Sequence, residues 1–542
     1  MTDDSPRPPR FWYKKKRYLI PLILIAILLF LHLPNWPVKI EIGPDTTVID
    51  GPLNADGTVN YVAYLDGEHG RGVTADNNAA PLLLKVMGES MLNDKNRSET
   101  LRRLNLDAAW LTAGPHFVAW EKRVRQPASR PASQPAPEDA EPRIDEDQEN
   151  GPDLNEVMEK LDAGEVHADL GQWLKDNEAA LETIRQAAAR PRYYLPLVSP
   201  SDPPLLLDCL IPNSAKLREA AKALVLRARL RCRQGRLPDA WDDVLTVHRL
   251  SRLVQQESLL ISQLVAVALD SLACDAGRRL ATRGAVDGDQ AQAALKDLQA
   301  LPPLRDIVDA IDRGERFFMC DATMMLSRGT VGLEGMSGGV AQKPSRMERV
   351  FANLDWNEVL RINNRWYDEM VRAMRMPRSA QREQAMAEFH RKLIESMKLQ
   401  TAGAVRIVLY RLGGWPTRKL LSRQIANLLM ALLMPALQRA VDVHQQGLMG
   451  LEVEKAALAL ACHKARHGRW PARLDDLVGE LIKEVPTDVF SGRPLVYRLE
   501  SDGYVLYSVG SNGRDDGGLN DDASQDKSKP DDIAVRVPAG AK

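Results

Sequence analysis

The stretch ALALACHKARHGRWPARLDDLV (Ala457–Val478) decides how the chain ends. Alanine and leucine recur at helical spacing up to His467. Gly468 then offers a left-handed cap, and Pro471 forbids the helix from continuing. LDDLV begins a second, short helix. Downstream, VPTDVFSGRPLVYRL (Val485–Leu499) reads as a turn and a strand, and DGYVLYSVG (Asp502–Gly510) as the paired strand. The acidic, glycine-rich NGRDDGGLNDDASQDKSKPDDI (Asn512–Ile533) closes the module. Upstream, SRQIANLLMALLMPALQRAVDVHQQ (Ser422–Gln446) is an apolar helical run with Pro435 inside it, leading into the amphipathic helix that ends at His467.

Working back toward the N-terminus, GRLPDAWDDV (Gly235–Val244) repeats the pattern of GRWPARLDDL (Gly468–Leu477): glycine, proline and two aspartates at equal spacing after a helix. The same turn chemistry is expected at both places. Residues 154–421 carry helical periodicity almost throughout, and LLISQLVAVALDSLACDAGRRLA (Leu259–Ala281) is apolar on more than one face, as a central packed helix should be. RGTVGLEGMSGGVAQKPS (Arg328–Ser345) reads as a loop. Residues 126–153, rich in proline and alanine and then acidic, hold almost nothing to bury and read as a linker. From Val38 to Asp66, short β-branched runs between PD, GP and DG turns predict a few strands in a small mixed α/β region covering residues 37–125.

Residues 1–17 hold six Lys/Arg, and Tyr18–Trp36 is an uncharged segment of 19 residues bordered by Trp12, Tyr13 and Trp36. A bilayer-spanning helix needs about 20 residues, and a basic flank stays cytoplasmic. We therefore expect contact with the lipid bilayer through residues 18–36, in the inner (cytoplasmic) membrane, with the bulk of the chain on the outer side. HLPNWPVKIE lacks the small-x-small site that would make the segment a cleaved signal peptide. The 542 residues are too many for one core, and roughly three or four structural units are expected. A net charge of −1 gives no reason to expect nucleic acid as a partner. The five cysteines form no CxxC pair and read mostly as small apolar side chains. The fold class follows: mainly α, with a small α+β module at the C-terminus and a single transmembrane helix at the N-terminus.

From Ser422 onward this order of motifs resembles the major pseudopilin of type II secretion systems, and the pilin family more widely. The features that carry the likeness are Pro435, Gly468-Arg469-Trp470-Pro471, Pro486-Thr487-Asp488 with Gly492, Tyr504 to Gly513, and Asp532-Ile533. The resemblance implies a pilin-like fold for this module and a Ca²⁺ ion in its closing loop. Calcium takes about six to eight hard oxygens, which Asp515, Asp516, Asp521, Asp522, Asp531 and Asp532 can supply with nearby carbonyls. The loop is not an EF-hand, because Arg514 stands where that motif requires a carboxylate or amide. The chain also departs from the family in carrying its pilin-like helix internally, without the family's processed leader.

No catalytic constellation emerges. GMSGG (Gly335–Gly339) matches G-x-S-x-G, but a nucleophile elbow joins a buried strand to a helix, whereas Ser337 lies in a loop between helices. His463 and His467 share i,i+4 spacing without an HExxH pattern, and Asn363, Asn364 and Trp366 fall on one helix as packing residues do. The expected role is structural or interactive, not enzymatic, with protein partners in an envelope assembly. The alternatives are a membrane-tethered serine hydrolase using Ser337 and a true filament-forming pseudopilin.

Overall fold

A computed structural model of the chain describes residues 39–124, 153–209, 214–282, 287–328, 354–376, 380–398, 415–520 and 529–538. The expected bilayer segment 18–36, most of the expected linker and Ser337 lie outside the described residues. What is described is mostly helical, with one small three-stranded antiparallel sheet near the C-terminus. The helices of seven residues or more are α1 (Tyr61–Gly70), α2 (Ala80–Met87), α3 (Arg97–Arg103), α4 (Leu154–Ala163), α5 (Leu170–Asp176), α6 (Glu178–Ala188) and α7 (Ser214–Arg233). They continue as α8 (Leu237–Val254), α9 (Leu260–Thr282), α10 (Gly288–Ala300), α11 (Arg316–Ser327), α12 (Trp356–Met374), α13 (Ala380–Lys398) and α14 (Trp415–His467). The strands are β1 (Val496–Leu499), β2 (Tyr504–Ser508) and β3 (Ile533–Val537).

The chain divides into two compact units that do not follow its sequence blocks. One holds the described residues up to Val59 with Arg316–Met374 and Glu383–Pro435; the other holds Asn60–Glu315, Arg375–Arg382 and the chain from Ala436 onward. Among the described residues, the strands expected between Val38 and Asp66 do not form. Only an isolated bridge, Leu53 to Val59, forms there, and the chain then enters α1. The turn residues outweigh the short β-branched runs, and the backbone groups bond to α12 instead of to a sheet. Asn357 receives the Glu41 N–H and donates to the Lys39 carbonyl. Asn364 donates to the carbonyls of Asp45 and Thr46. Trp366 gives its Nε1–H to Asn427 and stacks edge-on against Phe389. Asn364 and Trp366 thus fasten α12 to its neighbours, while Asn363 is buried with its amide atoms unpartnered.

In the second unit α7, α8 and α9 form the central layer. The expected caps are present: Gly235 ends α7 at φ +74° and Pro238 opens α8, while Gly468 ends α14 at φ +71°. α9 is as apolar as a membrane span, yet most of its side chains are buried inside the protein. The turn before α9 buries Glu257, which accepts the Ser262 hydroxyl at 2.5 Å. Burial pushes this carboxyl up to about 7 from its ordinary 4.5. An acid raised on folding disfavours the fold once ionised, so its penalty is absent below pH 4.5 and complete above pH 7. Glu257→Gln, which keeps the acceptor for Ser262, is expected to gain about 2 kcal/mol at pH 8 and nothing at pH 4 in denaturant melts.

The sheet covers the C-terminal half of α14. In β2, all five residues are buried, paired on one side with β1 (Val496 opposite Tyr507) and on the other with β3 (Ser508 opposite Ile533). Tyr504, Leu506 and Val535 share a core with Val453, Ala457 and Leu460 of α14 and with Leu295 and Leu298 of α10. The GRWP turn is pinned to that sheet: Trp470 stacks edge-on against Tyr504, and the Tyr497 hydroxyl donates to the Pro471 carbonyl at 2.9 Å.

Candidate metal centre

Where β2 ends, Ser508-Val509-Gly510-Ser511-Asn512 turns away from the sheet, and the chain returns through Asp531 and Asp532 into β3. This return is tightly specified. Gly510 sits at φ +70°, and a Cβ there would collide with the Asp531 backbone, with the carbonyl carbon only 2.7 Å away. Asp531 turns one carboxylate oxygen, Oδ2, to the Ser511 N–H (2.9 Å), the Ser511 hydroxyl (2.8 Å) and the Asn512 N–H (3.0 Å). Its other oxygen, Oδ1, is buried without a hydrogen-bond partner. Asp532 is fully buried; its Oδ2 accepts the Gly518 N–H at 2.7 Å and its Oδ1 is likewise unpartnered. Asp516 is half-buried and accepts the Asn512 amide at 2.8 Å.

Asp516, Asp531 and Asp532 bring oxygens within 4.8 Å of one another. Such crowding is unfavourable unless something positive answers it. Burial raises Asp532 to about 6, against the pull of the Gly518 N–H, and the negative charges of Asp516 and Asp515 add to the rise. Two buried carboxylate oxygens without donors are costly, since each loses its hydration for nothing in return. A hard divalent cation would supply what they lack, and a donor set made only of oxygens suits calcium over the softer transition metals.

The other sequence candidates are placed differently. Asp515 is not one of this trio; it accepts the Tyr507 hydroxyl (2.7 Å) and the Gly517 N–H (3.0 Å), which hold it below the usual carboxylate range. Asp521 and Asp522 lie outside the described residues. His463 and His467 do stack, with ring centroids 4.3 Å apart, but the half-buried His463 bonds the Arg469 carbonyl and His467 is exposed. Sequence reasoning missed Ser511 and Asn512 as the groups that aim the carboxylates. It also missed a second, fully buried cluster in the same unit around His248, Asp270 and Cys274. All five cysteines are free. Comparison with known protein families, with curated proteins and with solved structures returns no match for this chain.

Proposed function

We propose that the protein is a membrane-anchored, extracytoplasmic structural or interaction protein whose C-terminal module is pilin-like and is closed by a calcium ion. The observation that carries the calcium reading is that Asp531 and Asp532 each hold a buried, unpartnered oxygen and that both carboxylates lie within 4.8 Å of each other and of Asp516. The order of long helix, GRWP turn and antiparallel sheet supports the pilin likeness. The basic tail followed by an uncharged segment at residues 18–36 supports the anchor. In this reading the ion binds the loop to the edge of the sheet, and protein partners in the cell envelope meet the module or the helical units.

The test is a melt of the full chain in EDTA and in millimolar Ca²⁺. A ligand at 100 Kd stabilises a fold that alone binds it by about 2.7 kcal/mol. The calcium-loaded protein is expected to be more stable by that order, and Asp531→Asn combined with Asp532→Asn to abolish the gain while leaving the EDTA melt no worse. A cooperative melt that calcium does not move would end the calcium reading. Affinity purification from detergent-solubilised membranes checks the interaction role: recovery of the chain as a lone monomer would count against it.

A further inference from the structure

A second cluster lies inside the layer where α8, α9 and the C-terminal half of α14 meet. His248 is fully buried, with Nδ1 2.7 Å from Asp270 Oδ1 and Nε2 3.2 Å from Glu454 Oε2. Cys274, one turn along α9 from Asp270, places its sulfur 4.0 Å from Asp270 Oδ2. The donor atoms of His248, Asp270 and Cys274 all fall within 4.8 Å of one another. Arg252 adds a guanidinium 2.6 Å from Asp270. Glu454 is fully buried, and neither of its oxygens makes an aligned hydrogen bond even though one is near the imidazole.

We propose that His248, Asp270 and Cys274 form a three-donor site for a transition-metal ion of the zinc class, with Glu454 as the carboxylate that orients the imidazole. Nitrogen, oxygen and sulfur donors together suit a borderline-soft divalent cation and exclude calcium and magnesium. An imidazole that ligates through one nitrogen usually gives its other N–H to a carboxylate, the position Glu454 occupies. Charge also balances. With the ion bound, its two positive charges and that of Arg252 meet three negative ones on Asp270, Glu454 and the Cys274 thiolate. Metal-free, the imidazolium and Arg252 meet the two carboxylates, and the thiol keeps its proton. Binding therefore exchanges two protons for one divalent ion with no change in buried net charge. The rival is a permanently metal-free ionic cluster, in which the thiol only donates a weak hydrogen bond to Asp270.

The full chain, stripped with chelator and titrated with Co²⁺ in the Asp531→Asn, Asp532→Asn background, tests this apart from the calcium loop, which contains no sulfur. The expected result is one equivalent of Co²⁺ bound with a near-ultraviolet thiolate-to-cobalt band. The band should vanish in Cys274→Ser and persist in Cys462→Ser. Zinc-edge X-ray absorption on the unmutated, zinc-loaded protein needs no variant to fold and should show one sulfur among nitrogen and oxygen neighbours. A folded protein that takes up Co²⁺ without the band, or takes up none, overturns the proposal, as does a sulfur-free zinc shell.

Discussion

Gly277→Ala is expected to destabilise the protein by about 2–4 kcal/mol, although alanine is the better helix former. Gly277 lies inside α9, where the exchange alone would gain about 1 kcal/mol. The structure leaves no room for it: an added Cβ would land on the Glu454 Oε1 atom and lie 2.7 Å from that residue's Cδ. Either α9 and α14 separate, opening voids along an interface already close at Gly447, or Glu454 swings away from His248. Glu454 and His248 are both fully buried. Breaking a buried ion pair costs about 3–5 kcal/mol because it strands a charge, and that outweighs the propensity gain. Chemical denaturation at pH 7 measures the loss, and a double-mutant cycle identifies its cause. In a Glu454→Ala background the obstacle is gone, so Gly277→Ala should become neutral or stabilising by up to about 1 kcal/mol. A loss that persists there would mean that backbone separation, not the Glu454 side chain, sets the cost.

This cluster also marks where sequence reading stops. Asp270 and Cys274 are visible as an i,i+4 pair, but α9 reads as an apolar core helix, and His248 and Glu454 belong to elements far apart in the chain. Nothing local brings them together. Turn chemistry, by contrast, is local, and it was legible. Gly235 and Gly468 end their helices in the left-handed conformation, as Gly-x-x-Pro spacing requires, and the Leu474–Leu477 turn follows with Asp476 accepting the Arg473 N–H. Strands β1 and β2 also fall where the β-branched and tyrosine residues placed them. β3 was not anticipated, because Ile533–Val537 follows an acidic loop and its pairing with β2 is set from outside.

The same distinction explains the errors. Over residues 38–66, β-branched pairs suggested strands, but a strand needs a partner edge, and here the side chains of Asn357 and Asn364 take the backbone groups instead. Pro435, by contrast, lies inside a helix as its sequence setting implies, and α14 runs through it from Trp415 to His467. A proline removes one hydrogen bond, and packing along the rest of a long helix is able to carry that loss. At the acidic loop, composition groups residues that the fold then separates. Six aspartates look alike in sequence; only the fold separates Asp531 and Asp532, aimed inward by Ser511, Asn512 and Gly518, from Asp515, which is bonded to Tyr507.

Asp488→Ala is expected to cost about 3–5 kcal/mol and to weaken calcium binding, although Asp488 is not among the proposed ligands. Its carboxylate is 1 % exposed and gathers the turn onto the end of β2. Oδ1 accepts the Phe490 N–H and the Ser508 hydroxyl, both at 2.9 Å; Oδ2 accepts the Ser491 hydroxyl and the Val509 N–H, both at 3.0 Å. Hydrogen bonds to a charged acceptor contribute about 1.5–3 kcal/mol each, and buried donors left empty cost about 1–3. Ser508 and Val509 are buried, so water replaces their partner poorly, while Ser491 and Phe490 are better placed to recover some of the loss. Asn would not restore the site, because its amide group would turn a donor toward a donor at one oxygen position. The effect should spread along the backbone, since Val509 directly precedes the Gly510-Ser511-Asn512 segment that holds Asp531. Denaturant melts in EDTA read the first effect, and calcium titration of the folded variant reads the second. Exposed Asp475→Ala is the control, expected within about 0.5 kcal/mol of the parent. If Asp488→Ala matched that control, the turn would not depend on its carboxylate, and the path from turn to ion loop would have to run through β3 instead.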